Sequence, residues 1–327
     1  MDSTLKNYSN ILITGGAGFI GSNLALTLQE LYPESNILIL DDFSSANFKN
    51  LKKFKGEVLA CDVSTDEIFF KVEDEDMKFD VIFHLASITD TTVNDQELMM
   101  RKNVDGFKNV LEIAYNDGAT VVYASSASVY GNVKEHVPLK EDREKSPENV
   151  YAFSKYIMDN IASRFSEETG IKTVGVRYFN VYGPGEAHKK KFASMIFQLY
   201  LQMKKNQRPR LFKWGEQKRD FVYIKDAVDA TIQAVNAPKS TVYNVGSGQA
   251  RSFNEVVALL NKYLGKNLEP DYFDCPYDFY QEYTQADMNK IKKDLGFVPK
   301  YDLEKGIKEY VDILEGKIDY PVKGILG

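Results

Sequence analysis

The chain has 327 residues and a mass of 37.2 kDa; 43% of its residues are hydrophobic and 27% are charged. These proportions fit a globular protein of about two lobes and exclude a disordered or collagen-like chain. The formal net charge is −6, and apolar runs such as those at 37–40 and 81–83 are far shorter than the ~20 residues of a membrane helix. Because the N-terminus is polar, we expect no secretory signal, a cytoplasmic location and no membrane partner.

Short β-rich segments alternate with helical patterns through the first half of the chain. Strand patterns lie at 11–14, 37–40, 58–60, 81–85, 120–124 and 173–178, and helical patterns lie at 24–31, 98–114 and 151–165. This βαβ alternation predicts an α/β fold with a doubly wound, mostly parallel sheet of the Rossmann type.

The alternation is looser after residue 180. We predict a turn at 183–185, helices at 192–203, 226–235 and 253–264, and a strand with a glycine turn at 243–248. The chain is therefore predicted to divide into a first domain of residues 1–180, with a return segment at about 220–246, and a smaller C-terminal lobe of residues 181–219 and 247–327.

Basic residues are concentrated between Lys189 and Arg219, where ten lysines and arginines accompany one acid, Glu216. The segment carries +9 and the rest of the chain −15. This distribution favours a site for a small anion over a nucleic-acid surface, although a solvated helix face with its loops fits the pattern equally well.

Cysteines and histidines indicate neither a disulfide framework nor a metal site. Cys61, Cys275, His84, His136 and His188 show no ligand spacing. Any chemistry must come from other side chains or from a cofactor.

A glycine-rich turn follows the first strand and precedes the first helix. Its sequence is Gly15-Gly16-Ala17-Gly18-Phe19-Ile20-Gly21. In this context glycines allow a tight turn, close approach of the backbone to a pyrophosphate and close packing of helix on sheet. An acid is expected about 20 residues later to bind the ribose hydroxyls, and Asp41 ends the second strand there. The sequence therefore predicts a dinucleotide site.

The acids near Asp41 bear on which dinucleotide binds. Asp42 would repel a 2′-phosphate and favours NAD, but Lys49 could compensate, so the choice between NAD and NADP stays open. Asp62, after the third strand, could contact the adenine or could equally be a plain turn acid.

Tyr151 and Lys155 are four residues apart in a predicted helix, so their side chains share one face. A lysine ammonium there would lower the phenol pKa from ~10, so that the phenol exchanges a proton with an alcohol near neutral pH. Ser126, rather than Ser125, is predicted to hold the substrate oxygen, because ligands of parallel sheets collect at strand ends. Alone, the Tyr/Lys spacing is more often a helix-surface contact.

Together these features resemble the extended short-chain dehydrogenase/reductase superfamily, with its NAD-dependent epimerases and dehydratases, over residues 10–250. Further stretches are similar to its ADP-glycero-manno-heptose 6-epimerase family: Arg-Tyr-Phe-Asn-Val-Tyr-Gly-Pro at 177–184, Ala-His-Lys at 187–189, Lys-Arg-Asp-Phe-Val-Tyr at 218–223 and Tyr-Thr-Gln-Ala-Asp at 283–287. The resemblance implies an isomerase of lipopolysaccharide-precursor metabolism. It would convert ADP-D-glycero-D-manno-heptose to the L-glycero epimer by transient oxidation at C6″, with one NADP or NAD retained per subunit.

The resemblance also implies two acid/base groups, Tyr151 and Lys189, one for each face of the sugar carbon. We expect a lowered pKa for Lys189 because Lys190 and Lys191 crowd it. The alternative is that Lys189 only contacts ligand phosphates.

The resemblance completes the set of candidate binding residues. For the cofactor they are Gly15, Gly18, Phe19, Ile20, Gly21, Asp41, Asp42, Asp62, Leu85, Ala86, Ser87, Thr89, Asn103, Lys155 and Val181. For the nucleotide sugar, bound by the smaller lobe, they are Asn180, Lys191, Gln198, Phe212, Gly215, Arg219 and Tyr280. The planar guanidinium of Arg219 suits bidentate pairing with a diphosphate, and the alternative is an ion pair with Asp220.

Other functions compete with this one. A nucleotide-sugar 4-epimerase shares the fold and the Tyr/Lys pair but needs no Lys189, and a nucleotide-sugar dehydrogenase differs in few contacts. A 4,6-dehydratase is disfavoured because Ser125-Ser126-Ala127 offers no acid. A non-catalytic scaffold would not need Ser126, Tyr151, Lys155 and Lys189 together. The resemblance also implies a homo-oligomer, with the helices at 98–114 and 151–165 as candidates for its interface.

Overall fold

A parallel sheet of seven strands forms the centre of the computed structural model, which describes residues 8–75, 77–275 and 281–320. In chain order the strands are β1 (Asn10–Thr14), β2 (Asn36–Asp41), β3 (Glu57–Ala60), β4 (Val81–His84), β5 (Thr120–Ser126), β6 (Thr173–Tyr178) and β10 (Thr241–Val245). Across the sheet they lie in the order β10-β6-β5-β4-β1-β2-β3, and all neighbours are parallel. The predicted doubly wound α/β fold is confirmed.

Helices cover both faces of this sheet and also contribute to the second lobe. They are α1 (Phe19–Leu31), α2 (Glu67–Glu73), α3 (Gln96–Met100), α4 (Gly106–Asp117), α5 (Val150–Thr169), α6 (Met195–Lys204), α7 (Ile224–Ala234), α8 (Phe253–Leu264), α9 (Asn289–Leu295) and α10 (Leu303–Leu314). One core contains residues of α1 and α7, and a second contains residues of α4 and α5. In β1, Ile11 and Ile13 belong to the first core and Leu12 to the second, so both faces are buried and the strand is continuously apolar.

Two predicted helices differ in detail from the observed ones. The predicted helix at 98–114 contains a π-helical turn, Arg101–Asp105, between α3 and α4. The predicted helix at 192–203 begins only at Met195, because the hydroxyl of Ser194 accepts the backbone N–H of Phe197 as an N-cap.

Short strands outside the central sheet build a second lobe. A three-stranded sheet contains β7 (Asn180–Tyr182), β9 (Lys218–Tyr223) and β11 (Ala250–Ser252), with β9 in the middle. A separate pair contains β8 (Arg210–Phe212) and β12 (Asp271–Phe273). Within the predicted return segment, α7 and β10 join the central layers, whereas β9 belongs to the three-stranded sheet.

Two properties of the described residues bear on function: the length of their apolar helices and the grouping of their metal-binding side chains. None of their helices is long and apolar enough to cross a membrane. In the same residues, no group of three or more His, Cys, Asp or Glu side chains is arranged to hold a metal ion.

Candidate active site

Close packing makes glycine necessary at two positions of the turn between β1 and α1. Gly15 has φ +70°, and a Cβ there would lie 2.5 Å from the backbone nitrogen of Ala86. A Cβ at Gly21 would lie 2.2 Å from the carbonyl oxygen of Gly15. At Gly18, the N-cap of α1, a Cβ would meet only that oxygen, at 3.2 Å, within a 4 Å radius. The uncapped helix N-terminus therefore faces open space, which fits a phosphate.

The loop after β4 lies against this turn and contains four predicted cofactor residues, Leu85, Ala86, Ser87 and Thr89. The N–H of Leu85 donates to the carbonyl of Thr14, 3.0 Å away. Since the backbone of Ala86 would contact a Cβ at Gly15, the loop and the turn form one continuous edge.

Asn103 supports the loop after β4. Its fully buried amide accepts the N–H of Ile88 at 2.8 Å and donates to the carbonyl of Ile88 and to the hydroxyl of Ser154. The structure therefore places Asn103 against the 85–89 loop, and its predicted contact with a cofactor stays a prediction.

Asp41 ends β2 beside the glycine-rich turn. One carboxylate oxygen accepts the N–H of Ala17 and the other the N–H of Phe43, each at 2.9 Å. Burial raises the pKa of Asp41, and the two hydrogen bonds oppose that rise. The acid predicted to bind ribose thus also fixes the turn to the loop after β2.

Asp42 and Asp62 share one lysine that the sequence did not single out. Lys102, in the π-helical turn, places its Nζ 2.9 Å from Asp42 and 2.7 Å from Asp62. Burial alone would raise the pKa of Asp42, but hydrogen bonds from Ser44 and Lys102 outweigh it and hold that pKa below its usual value. The lysine that bonds Asp42 is thus Lys102, and Asp62 does more than close its own turn, because it bonds the same lysine. The predicted role of Lys49 toward a 2′-phosphate stays a prediction.

The ends of β5 and α5 bring Ser126 and Tyr151 together. Asn149 caps α5 by accepting the N–H of Ala152, which places Tyr151 in the first turn of the helix. The phenol of Tyr151 forms a hydrogen bond with Ser126. Ser125, one residue earlier, is buried within β5, so Ser126 is the serine that meets the phenol.

The expected effect of Lys155 on Tyr151 is not present. Burial raises the pKa of Tyr151, opposed by the hydrogen bond from Ser126. Burial also lowers the pKa of Lys155 to about 7, and its Nζ lies 6.0 Å from the centre of the tyrosine ring. The prediction that the tyrosine pKa lies below its usual value was therefore wrong for this structure, because burial is the larger influence on the phenol.

Lys189 lies in a short 3₁₀ helix, Ala187–Phe192, with its Nζ 5.9 Å from the ring centre of Phe19 at the start of α1. Burial lowers the pKa of Lys189, and the charge of Glu186 opposes that shift. The predicted direction is therefore correct, but the predicted cause was wrong, since Lys190 and Lys191 are exposed.

Glu186 holds the loop that contains Lys189. Its carboxylate is fully buried and accepts hydrogen bonds from the N–H of Gly183, the N–H and hydroxyl of Ser194, and the hydroxyl of Tyr310. Sequence analysis missed this residue, although it directly precedes the Ala-His-Lys motif at 187–189.

The predicted sugar-binding residues are distributed over the second lobe. Asn180 and Val181 lie in β7, and the amide of Gln198 donates to the carbonyls of Lys191 and Ala193. Gly215 has φ +75°, and a Cβ there would lie 2.1 Å from Oδ1 of Asn254. Tyr280 lies outside the described residues.

Phe212 and Arg219 have aromatic neighbours in this lobe. The ring of Phe212 packs edge-on against Phe273, and the guanidinium of Arg219 lies 5.9 Å from the ring centre of Phe253. The carboxylate of Asp220 accepts backbone N–H groups of other segments.

Much of the basic stretch is neutralised within the protein. Lys204 pairs with Glu315, Arg210 with Asp271 and Lys213 with Asp274. Arg208 donates to the carbonyls of Glu269 and Pro270. The +9 segment is therefore not one continuous anion site, and Lys189 lies apart from these pairs at the glycine-rich turn.

The arrangement of a glycine-rich turn, strand-end acids and a Tyr/Ser pair agrees with sequence comparison. Residues 11–246 match the family described as the NAD dependent epimerase/dehydratase family. The chain belongs to that family. The predicted family resemblance is confirmed, and the chain is related to epimerases along nearly its whole length.

Individual relatives within the family extend this result. The chain is 38% identical over 314 residues to an ADP-L-glycero-D-manno-heptose-6-epimerase of Brachyspira hyodysenteriae, covering 93% of this chain and 98% of the relative. It is 46% identical to the crystallised ADP-L-glycero-D-manno-heptose-6-epimerase of Helicobacter pylori, with a TM-score of 0.88 and coverage of 96% and 98%. A UDP-glucose 4-epimerase of Thermotoga maritima, solved with UDP-glucose, is 28% identical, with a TM-score of 0.86 and coverage of 94% and 99%.

Proposed function

We propose that this chain converts ADP-D-glycero-D-manno-heptose to its L-glycero epimer at C6″, as an isomerase of lipopolysaccharide-precursor metabolism. The observation that carries the proposal is the position of Lys189: a lysine with a lowered pKa, against Phe19 at the glycine-rich turn, in addition to Tyr151 with Ser126. The names of the Brachyspira and Helicobacter relatives support the same substrate.

Inversion of an alcohol carbon through a ketone explains the need for two proton-handling groups. The hydroxyl oxygen of one epimer and that of the other occupy different positions when the carbonyl presents its opposite faces. One side chain must accept the proton when the ketone forms, and another must donate a proton when the alcohol of opposite configuration forms. Tyr151 and Lys189 are the proposed pair.

The described residues fit a nicotinamide dinucleotide, NAD or NADP, one per subunit and retained through turnover. The open space over Gly18 at the N-terminus of α1 would hold the pyrophosphate, and Asp41 would hold the ribose hydroxyls. The 85–89 loop and Val181 would line the rest of the site. When bound, the dinucleotide supplies the hydride acceptor and donor.

The proposed catalytic side chains differ in their tasks. Ser126 orients the substrate oxygen and donates to the phenol of Tyr151, which stabilises the phenolate. Lys155, fully buried, contacts the cofactor and presents positive charge when it is protonated. Glu186 keeps Lys189 near Phe19 through its hydrogen bonds to the loop. Arg219, Asn180, Lys191 and Gln198 bind the nucleotide sugar.

The proposal includes assembly and location. We propose a homo-oligomer that covers the groove between α4 and α5, about 450 Å³ in volume and lined by Leu111, Tyr115, Ile161 and Phe165 among others. The side chain of Tyr115 is 59% exposed in one chain. The cytoplasmic location and the division at residues 180, 220 and 246 remain predictions.

The test is NMR of ADP-D-glycero-D-manno-heptose incubated with purified protein, without added cofactor. We expect the L-glycero epimer to appear with wild type and not with Tyr151→Phe or Lys189→Ala. Lys205→Ala, which removes an exposed lysine of the basic stretch, should keep activity. If wild type contains bound dinucleotide but does not convert the heptose, the proposed substrate would be wrong. Full activity of Lys189→Ala in this assay would overturn the two-group mechanism but leave the substrate in place.

A further inference from the structure

Lys102, Asp42 and Asp62 form a cluster, here called the Lys102 clamp, at the carboxyl end of the central sheet. Lys102 bonds one oxygen of each aspartate, Oδ2, at 2.9 and 2.7 Å. The other oxygen of Asp42 accepts the N–H and hydroxyl of Ser44, and the other oxygen of Asp62 accepts the N–H and hydroxyl of Ser64. Both carboxylates are therefore fixed on both sides, and one ammonium joins the loops after β2 and β3.

The clamp lies where a dinucleotide site distinguishes its cofactors. Asp42 directly follows Asp41, the acid at the end of β2. In this fold an acid at that point binds the ribose 2′-hydroxyl, and a nearby cation is what accommodates a 2′-phosphate. Asp41, Asp42 and Asp62 place three negative charges at this edge, and Lys102 is the cation that bonds two of them.

We propose that Lys102 is a specificity-determining residue of the cofactor site, which by offsetting part of the negative charge of Asp42 and Asp62 lets the site accept a 2′-phosphorylated dinucleotide. A dianionic 2′-phosphate is far more sensitive than a ribose hydroxyl to the charge around it. Removing Lys102 leaves both aspartates uncompensated and therefore weakens NADP binding more than NAD binding.

The charge and the solvent exposure of Lys102, Asp42 and Asp62 support this role. Burial lowers the pKa of Lys102, but the hydrogen bonds that it donates to both aspartates outweigh burial and raise that pKa above its usual value. The ammonium thus stays charged at neutral pH. Its side chain is 22% exposed and those of Asp42 and Asp62 are 30% and 25% exposed, so the clamp can respond to a ligand arriving from solvent.

The inference rests on the proposed dinucleotide site but not on the proposed sugar, because it is tested without substrate. The dissociation constants of NAD and NADP are measured by calorimetry on charcoal-treated protein, for wild type, Lys102→Met, Asp42→Asn and the double variant. Lys108→Met is the matched control, because Lys108 lies six residues after Lys102 and forms an exposed ion pair with Asp105. Thermal unfolding of each variant reports whether it is folded.

For Lys102→Met we expect the ratio of the NADP to the NAD dissociation constant to rise about tenfold, the effect of one charge at a partly exposed site. Asp42→Asn, which keeps an oxygen for Ser44, should lower that ratio, and the double variant should return it close to the wild-type value. Lys108→Met should leave it unchanged.

Three results would overturn the inference. One is an equal change in both constants in Lys102→Met, which is what a clamp that only shapes the adenine pocket would give. Another is an unchanged ratio in Asp42→Asn. The third is a wild type that binds neither dinucleotide. A wild type that binds dinucleotide but does not epimerise the heptose would leave the inference intact and would overturn only the proposed substrate.

Discussion

The glycine-rich turn and the second lobe are held in place in different ways. At the turn, glycines allow close packing of backbone on backbone, whereas in the second lobe one buried carboxylate joins three segments. Gly15 and Gly21 pack against the 85–89 loop and the turn itself with no room for a side chain. In the lobe, Asp220 accepts the N–H groups of Ser247, Gly248 and Ala286 at 2.6, 3.0 and 2.9 Å. The first region is thus encoded within a few residues, and the second depends on contacts across the chain.

The largest effect is expected at Gly15. A Gly15→Val substitution combines a left-handed backbone conformation with a Cβ inside contact distance of Ala86, so we expect a loss of about 3 kcal/mol or more in the free energy of unfolding and no bound dinucleotide. Chemical denaturation and cofactor extraction measure both. Gly118→Ala is the control, because Gly118 has a similar φ but no atom within 4 Å of a Cβ, and it should cost only about 1 kcal/mol. Equal losses would mean that crowding at the turn does not matter.

In the second lobe, the corresponding loss of stability is expected from a substitution of Asp220. Asp220→Ala leaves one buried and two partly buried N–H groups without their acceptor, so we expect a loss of about 2–4 kcal/mol in stability and a raised KM for the sugar, with the dinucleotide retained. Asp271→Asn, which removes an exposed acid paired with Arg210, should change stability little. If Asp220→Ala released the dinucleotide, the two regions would not be separable in this way.

Lys155 is expected to make the free energy of unfolding depend on pH. Burial lowers the pKa of this lysine to about 7, below its value of ~10.4 in an unfolded chain. Between these values the unfolded chain binds more protons, so the free energy of unfolding increases as pH rises. Relative to Lys155→Met, wild type should gain about 1–3 kcal/mol between about pH 7 and about pH 9.

Urea unfolding at several pH values measures that gain. The exposed lysine variant Lys205→Met serves as the control and should follow wild type. Parallel curves for wild type and Lys155→Met would show that burial does not hold the lysine neutral.

The smallest effect is expected at Arg219. Arg219→Lys keeps the charge but loses the planar fork, so the KM for the nucleotide sugar should rise about tenfold while kcat and bound dinucleotide stay unchanged. Steady-state kinetics of wild type, this variant and the control Arg208→Lys separate the two constants. A changed kcat with an unchanged KM would contradict a binding role.

The sequence predictions were more accurate for features that depend on neighbouring residues than for features that depend on residues distant in the chain. The glycine-rich turn and the strands of the central sheet were predicted because each depends on neighbouring residues with a repeating apolar pattern. The strands β7, β8, β9, β11 and β12 of the second lobe were not predicted, because they form by pairing between segments that are distant in the chain. The pKa of Lys189 shows the same limit: its direction was predicted, but its cause, burial beside Phe19, was not.

The sequence by itself determined the doubly wound fold, the dinucleotide turn with Asp41, and the family, because local spacing and continuous motifs encode them. Only the tertiary structure decided that Lys102 joins Asp42 and Asp62, which lie 60 and 40 residues away from it, that Asn103 supports a loop, and that Glu186 holds the loop of Lys189. Side chains distant in the chain meet only when strands and helices pack, and the charge of each group then depends on what surrounds it.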